Sequence, residues 1–194
     1  GELIIPRAKN LLVSPFETRR EFTQMILKEI DEAQAGREAK ITAKMNSLED
    51  EEMIDLLYRA NKSGVKIRLL VRGFTSLIAG VKGLSENIYI TSILDRFLEH
   101  GRIYIFHNGG EERIFMGSAD WMNRNLNRRI EVLAPIFDED IKQELKEILQ
   151  IQLDDNVKAR VQDYTQKNEY VAHDPAHPIR SQYEIYNYLK KKHS

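Results

Sequence analysis

Apolar positions change their spacing along this chain, and each change marks an element. Lys9 to Ser14 (KNLLVS) is a short unbroken apolar run bounded by polar residues, which predicts a buried strand. Thr18-Arg19-Arg20-Glu21 has capping-box spacing, and Phe22, Met25, Ile26, Ile30 and Ala33 then recur at helical intervals until Gly36. Ile41, Ala43 and Met45 alternate with Thr42, Lys44 and Asn46, so a strand with one apolar and one polar face is expected. Ser47 with Asp50 predicts a second helix start. Met53, Ile54, Leu56, Leu57 and Ala60 form its stripe, and Gly64 stops it. Val65 to Arg72 (VKIRLLVR) then reads as a strong strand.

The second half continues in the same way. Gly73 to Ser85 is a glycine-bearing loop, Asn87 to Ile93 a further strand, and Leu94 to Glu99 a short helix delivering His100. Ile103, Tyr104, Ile105 and Phe106 extend a strand beyond Arg102, Asn108-Gly109-Gly110 turns the chain, and Arg113 to Gly117 returns. Arg129, Glu131 and Leu133 alternate with Ile130, Val132 and Ala134 in a third strand. Asp138 opens a helix with Ile141, Leu145, Ile148 and Leu149 inward, and a second helical piece is expected around Asn156 to Tyr164. Thr165 to Pro178 is polar and proline-bearing, hence a loop. Gln182 to Lys192 is a terminal helix that docks through Tyr183, Tyr186 and Leu189. The alternation of strands and helices predicts an α/β fold with a mixed central β-sheet, largely parallel at its centre and flanked by α-helices.

Composition narrows the chemistry. With 29 basic against 30 acidic residues in 194, no global polycation field advertises nucleic acid or an acidic membrane, so any polyanion site is local. The absence of cysteine excludes a disulfide framework and a thiol nucleophile and suits a cytoplasmic protein. No apolar run approaches membrane-span length, and no signal peptide is evident. The chain opens on Gly1-Glu2-Leu3 without methionine, which favours a fragment of a longer polypeptide.

The candidate chemistry concentrates between Leu98 and Ile136. If both lie on the strand, His100 and Arg102 share a face, and Arg129 and Glu131 share a face of the third strand. A guanidinium forks onto phosphate oxygens, while a carboxylate orients the guanidinium or the histidine. Arg72 stands at the carboxyl end of its strand, the edge where ligands of open α/β sheets gather. Lys44 and Asn46 share a polar face that can meet a ligand. Each residue has a blander reading: histidines near strands are mostly structural, and strand-end arginines mostly close ion pairs. Arg124 and Arg128 default to a solvated face, Trp121 to the core, and Asp120 to stabilising its turn. The Gly73–Ser85 loop lacks GxxxxGK[ST], so a P-loop is unsupported. His173 and His177 lack a third ligand and helical support, so that loop is not read as a metal site.

His100-Gly101-Arg102, a turn, Gly117-Ser118-Ala119-Asp120-Trp121 and the closing Arg129-Ile130-Glu131 resemble the phospholipase D pattern. More closely, LVRG at 70–73, GLSENI at 83–88, RFLEHGRIYIFHNGG at 96–110 and SADWMNRNLNRRIEV at 118–132 resemble the phosphohistidine family of polyphosphate kinases. The likeness runs from about Asn10 onward and thins after Tyr164. It covers only the C-terminal catalytic domain of that family.

The resemblance implies a phospholipase D-like domain spanning residues 1–194, with its core at about 9–164 and a polar loop plus terminal helix at 165–194. It implies reversible transfer of the terminal phosphate of ATP to polyphosphate through a phosphohistidine carried by a preceding sister domain. On it, His100 takes a supporting role in hydrogen bonding or acid/base work. Arg72 becomes the nucleotide-binding arginine, and Arg129 a phosphate-contacting arginine with Glu131 as partner. Lys44 and Arg102 join the phosphate-binding set. Magnesium (Mg2+) is the expected cofactor, with ligands outside this chain. The expected partners are ATP or ADP, inorganic polyphosphate, the sister domain and further copies of the full-length enzyme. Nucleic acid and a transmembrane segment are not expected, and the location is the cytoplasm or the membrane periphery. An isolated chain of this kind is half an active site.

One departure from the phospholipase D pattern is informative. Arg102 stands where that pattern has lysine, and the aspartate expected further on is missing after Phe106. This weakens the alternative of a phosphodiesterase or nuclease. A non-catalytic domain that binds polyphosphate or nucleotide is the other alternative.

Overall fold

The computed structural model describes residues 10–193. They form an eight-stranded mixed sheet in the order β1-β7-β6-β5-β2-β3-β4-β8. The strands are β1 (Leu12–Ser14), β2 (Lys40–Met45), β3 (Lys66–Val71), β4 (Ile88–Ile93), β5 (Arg102–Phe106), β6 (Arg113–Gly117), β7 (Glu131–Ile136) and β8 (Ala159–Val161). β2, β3 and β4 run parallel, and every other pairing is antiparallel. The parallel strands are joined by a helical crossover, residues 51–62, between β2 and β3 and by a helix-free loop, residues 72–87, between β3 and β4. Both edges are short strands, which limits the backbone left open to edge pairing.

Helices α1 (Thr18–Gln34) and α2 (Glu51–Lys62) cover one face, and the larger core lies beneath them. Phe22, Ile26, Ile41, Leu57, Leu69 and Trp121 are sealed in it. Phe22 sits at the centre of an aromatic cluster, with ring centroids 4.7 Å from Tyr104 and 5.5 Å from Trp121. Helix α4 (Glu139–Leu153) closes the other face over Leu70, Ile93, Ile103, Ile105 and Ile114. That cover buries Thr42 and Lys44 as well. The polar face expected for β2 is thus an interior face, not a ligand face.

Several predicted boundaries shift. Glu17, not Thr18, caps α1 and offers no side-chain cap; Thr18 is buried in the first turn with its hydroxyl unpartnered, so the capping box does not form. Asp50, not Ser47, caps α2 by accepting from the Met53 amide at 3.1 Å. Asp138 caps α4 as expected. Gly36 and Gly64 follow α1 and α2 with positive φ, in keeping with their reading as stops.

The larger corrections concern pieces too short for a period to decide. Residues 94–100 form bends without a helix. The piece around Asn156 to Tyr164 contains strand β8, which adds to β4, instead of a helix. Ile141 faces outward. In the terminal helix α5 (Ser181–Lys192), Tyr183 and Tyr186 are exposed, and Ser181 and Gln182 are buried in their place. The first strand begins at Leu12, and Lys9 lies outside the described residues.

Candidate phosphate-binding site

The strand register carries the candidate residues to one edge of the sheet. β2 and β3 end there at Met45 and Val71, which are paired, so Asn46 and Arg72 emerge side by side. β5 begins there at Arg102, opposite Gly117 at the end of β6, and Gly117 pairs with Leu133 of β7. The carboxyl ends of the parallel strands thus meet the start of β5 and of β7. His100 lies at the mouth of β5, and Arg129 lies just before β7, not within it as the alternation predicted.

A cavity of about 430 Å³ opens at this edge, lined by His100, Arg102, Arg124 and Arg129 among others. Its floor is a network of satisfied charges. Arg102 is buried and forks onto Asp120, with Nε to Oδ1 and Nη2 to Oδ2 both at 3.0 Å, while its Nη1 donates to the His100 carbonyl at 2.6 Å. Each guanidinium nitrogen of Arg102 is therefore engaged within the chain. Asp120 Oδ1 also accepts from the Asn46 amide at 2.7 Å, in agreement with its reading as a turn-stabilising residue. Glu131 accepts from Ser118 Oγ and, at 2.6 Å, from Asn125 Nδ2. It is not ion-paired with Arg129, because its oxygens are used to close the turn between β6 and β7. The expected pairing of Arg129 with Glu131 is corrected accordingly.

Above this floor stand side chains that the rest of the chain leaves unengaged. The side chains of His100, Arg124 and Arg129 are exposed, and among the described residues no carboxylate or other polar group engages them. Gly117 allows the approach of β7: a Cβ added there would stand 2.7 Å from Leu133 Cα and closer still to the Val132 carbonyl.

Arg72 opens into an adjoining cavity of about 610 Å³, with Phe74, Leu77, Ile78 and Gln162 in its walls. Its Nε donates to Asn46 Oδ1 at 2.8 Å, and its Nη2 makes a second bond to the same oxygen. Asn46 lines the first cavity, so its bond to Arg72 links the two. Lys44 lines neither. Its ammonium bonds Glu99 at 2.6 Å in the interior. Burial pushes the Glu99 carboxyl upward, but the charge and hydrogen bond of Lys44, with hydrogen bonds from Gln182 and Gln152, hold it below its ordinary value overall.

The sequence pattern leaves Arg124 as a solvated side chain, offers Asn46 only together with Lys44, and does not single out Ser118 or Asn125. The bond from the Arg129 amide to the Arg124 carbonyl across the helical turn α3 (Asn123–Asn127) sets the two arginines side by side, and strand register brings Asn46 and Ser118 to the same edge. No group of three or more His, Cys, Asp or Glu side chains able to hold a metal ion occurs among the described residues. His173 bonds the Asn156 carbonyl and His177 bonds Asp174, away from this edge.

Residues 11–182 match the family model described as polyphosphate kinase C-terminal domain 2. The chain belongs to that family. It is 48% identical over 188 residues to a polyphosphate kinase of Vibrio vulnificus (strain YJ016), covering 96% of this chain and 27% of the relative. The chain thus spans about a quarter of the length of the curated relatives it matches. The crystal structure of polyphosphate kinase from Porphyromonas gingivalis superimposes with a TM-score of 0.92 at 42% identity, over 96% of this chain and 28% of that one. Nuc from Salmonella typhimurium, a phospholipase D family member, aligns with a TM-score of 0.55 at 16% identity, over 79% of this chain and 96% of its own. That likeness shows the fold alone. The fold is phospholipase D-like, as the sequence predicted, and among the described residues no helix is long and apolar enough to cross a membrane.

Proposed function

We propose that this chain supplies one half of an ATP–polyphosphate phosphotransferase site, in which the terminal phosphate of ATP passes reversibly to a polyphosphate chain. The observation that carries this reading is the uncompensated Arg129 guanidinium, beside the unengaged His100 imidazole, over a floor whose own charges are already paired. Such a cavity is electrostatically incomplete until a polyanion enters it. Phosphoryl transfer asks mainly for positioning and charge neutralisation, which fixed guanidinium groups provide.

On this reading Arg129 grips the transferring phosphoryl group, and Arg72, held by Asn46, takes the nucleotide phosphates. The His100 imidazole donates a hydrogen bond or exchanges a proton at the reacting oxygen. Arg102, Glu131 and Lys44 act through the structure: Arg102 fixes the His100 backbone, Glu131 the turn after β6, and Lys44 the Glu99 segment leading to His100. The nucleophilic histidine comes from a sister domain of the same polypeptide, in an enzyme that assembles from several copies in the cytoplasm. Magnesium (Mg2+) serves the reaction through ligands outside this chain.

Titration calorimetry of this chain with ADP, ATP and polyphosphate tests the reading. Binding is expected, weakened about tenfold by Arg72→Ala for nucleotide and by Arg129→Ala for polyphosphate, the effect of one lost charge-assisted contact. Steady synthesis of polyphosphate by this chain alone would contradict the half-site assignment. Absence of any binding by the folded chain would remove the proposal.

A further inference from the structure

We infer that Arg124 is a second phosphate-binding residue, one that holds a neighbouring phosphate group of the polyphosphate chain beside the one at Arg129. The inference rests on the proposed function and extends it to how many links of the chain this half-site grips.

Arg124 leaves the same turn as Arg129. The Arg129 amide donates to the Arg124 carbonyl at 2.8 Å, which fixes the two backbones against each other. α3 itself is anchored: Asn125 is buried and bonded to Glu131 at 2.6 Å, Leu126 and Trp121 are sealed in the core, and the Leu126 amide returns to the Met122 carbonyl at 3.0 Å. A rigid short helix therefore presents Arg124 outward into the cavity that Arg129 and His100 line. The carboxylates at that cavity, Asp120 and Glu131, are committed to Arg102, the Asn46 amide, Ser118 and Asn125. Neither neutralises Arg124.

A linear polyphosphate presents oxygens at successive phosphorus centres, so each fork can take its own. Arg128 makes a suitable comparison. It lies in the same turn with the same charge and exposure but does not line the cavity.

The test compares binding of long-chain polyphosphate and of ADP by the wild-type chain and by Arg124→Ala, Arg124→Lys, Arg128→Ala and Arg129→Ala, with circular dichroism showing each folded. Arg124→Ala is expected to weaken polyphosphate binding about tenfold and to leave ADP binding unchanged. Arg124→Lys should fall between, because lysine keeps the charge and loses the fork. Arg128→Ala should stay within about twofold of wild type, as a screened surface charge does. Equal losses in Arg124→Ala and Arg128→Ala would overturn the assignment while leaving the half-site intact, since only the general field would then matter. Insensitivity of polyphosphate binding to Arg129→Ala, or no binding by the wild-type chain, would overturn both.

Discussion

Asp120 grips Arg102 with both carboxylate oxygens, each at 3.0 Å, and both residues are buried. The pair joins the turn after β6 to the first residue of β5, and Asp120 reaches on to the Asn46 amide at the end of β2. Three parts of the site edge are therefore held by one buried carboxylate. Removing one partner of such a pair strands the other charge, a cost of about 3–5 kcal/mol. Asp120→Ala is expected to lower stability by that amount in urea denaturation. The double variant Asp120→Ala with Arg102→Met should recover part of the loss, since no charge is then stranded. A double variant no more stable than Asp120→Ala would contradict this account.

Gly117 is required by packing. An added Cβ would overlap the Val132 carbonyl and approach Leu133 Cα to 2.7 Å, both backbone atoms with nowhere to yield. Gly117→Ala should destabilise the domain by about 1–3 kcal/mol, the usual range for overpacking. It should also weaken polyphosphate binding, because β7 positions Arg129. Thermal unfolding and calorimetry on the same variant check both effects.

Asn46 is a positioning residue for Arg72, whose guanidinium it holds through Nε and Nη2. Asn46→Ala should raise the dissociation constant for ADP several-fold, by less than Arg72→Ala does. In the Arg72→Ala background, Asn46→Ala should add nothing. An additive effect in the double variant would show that Asn46 acts on nucleotide by another route.

Hydrogen bonds from Arg37 and then Lys28 hold the Glu32 carboxyl at about 2, against an ordinary value of 4.5. A carboxyl whose folded value is depressed contributes stability that is complete above its unfolded value and lost as pH falls toward the folded one. Stability should therefore decline between about pH 4.5 and pH 2 in part through this group. Glu32→Gln should flatten the dependence of the unfolding midpoint on pH across that window. An unchanged slope would show that Glu32 is equally depressed in the unfolded chain.

The first turn of α5 pins the segment that delivers His100. Gln182 accepts from the Phe97 amide and donates to the Phe97 carbonyl, both at 2.9 Å, and it also bonds Glu99. Arg180 forks onto Asp95 at 2.6 and 2.8 Å. Gln182→Ala should accelerate amide hydrogen exchange at Phe97 by about tenfold or more while leaving β3 protected, because local opening then loses its main tether. Exchange at Phe97 unchanged by the substitution would separate α5 from the site.

The long elements were legible because their apolar period is set by local geometry. The stripe of α2, the alternation of β2 and the β-branched, apolar-rich run of β3 set their local backbone, and the helical crossover α2 makes β2 and β3 parallel. The motifs around His100 and Trp121 also fixed the family and hence the fold. Short pieces were not legible. Residues 94–99 and 159–161 carry too few positions for a period, and only pairing with β4 made the second a strand. The partner of each charge lay beyond the reach of pattern altogether. Arg102, Arg124 and Arg129 are the same residue type in one stretch of sequence, yet tertiary contacts consume Arg102 and leave the other two open. Which guanidinium meets Asp120 depends on strand register and on the turn that places Asp120 beneath β5, and both follow from packing across the whole sheet.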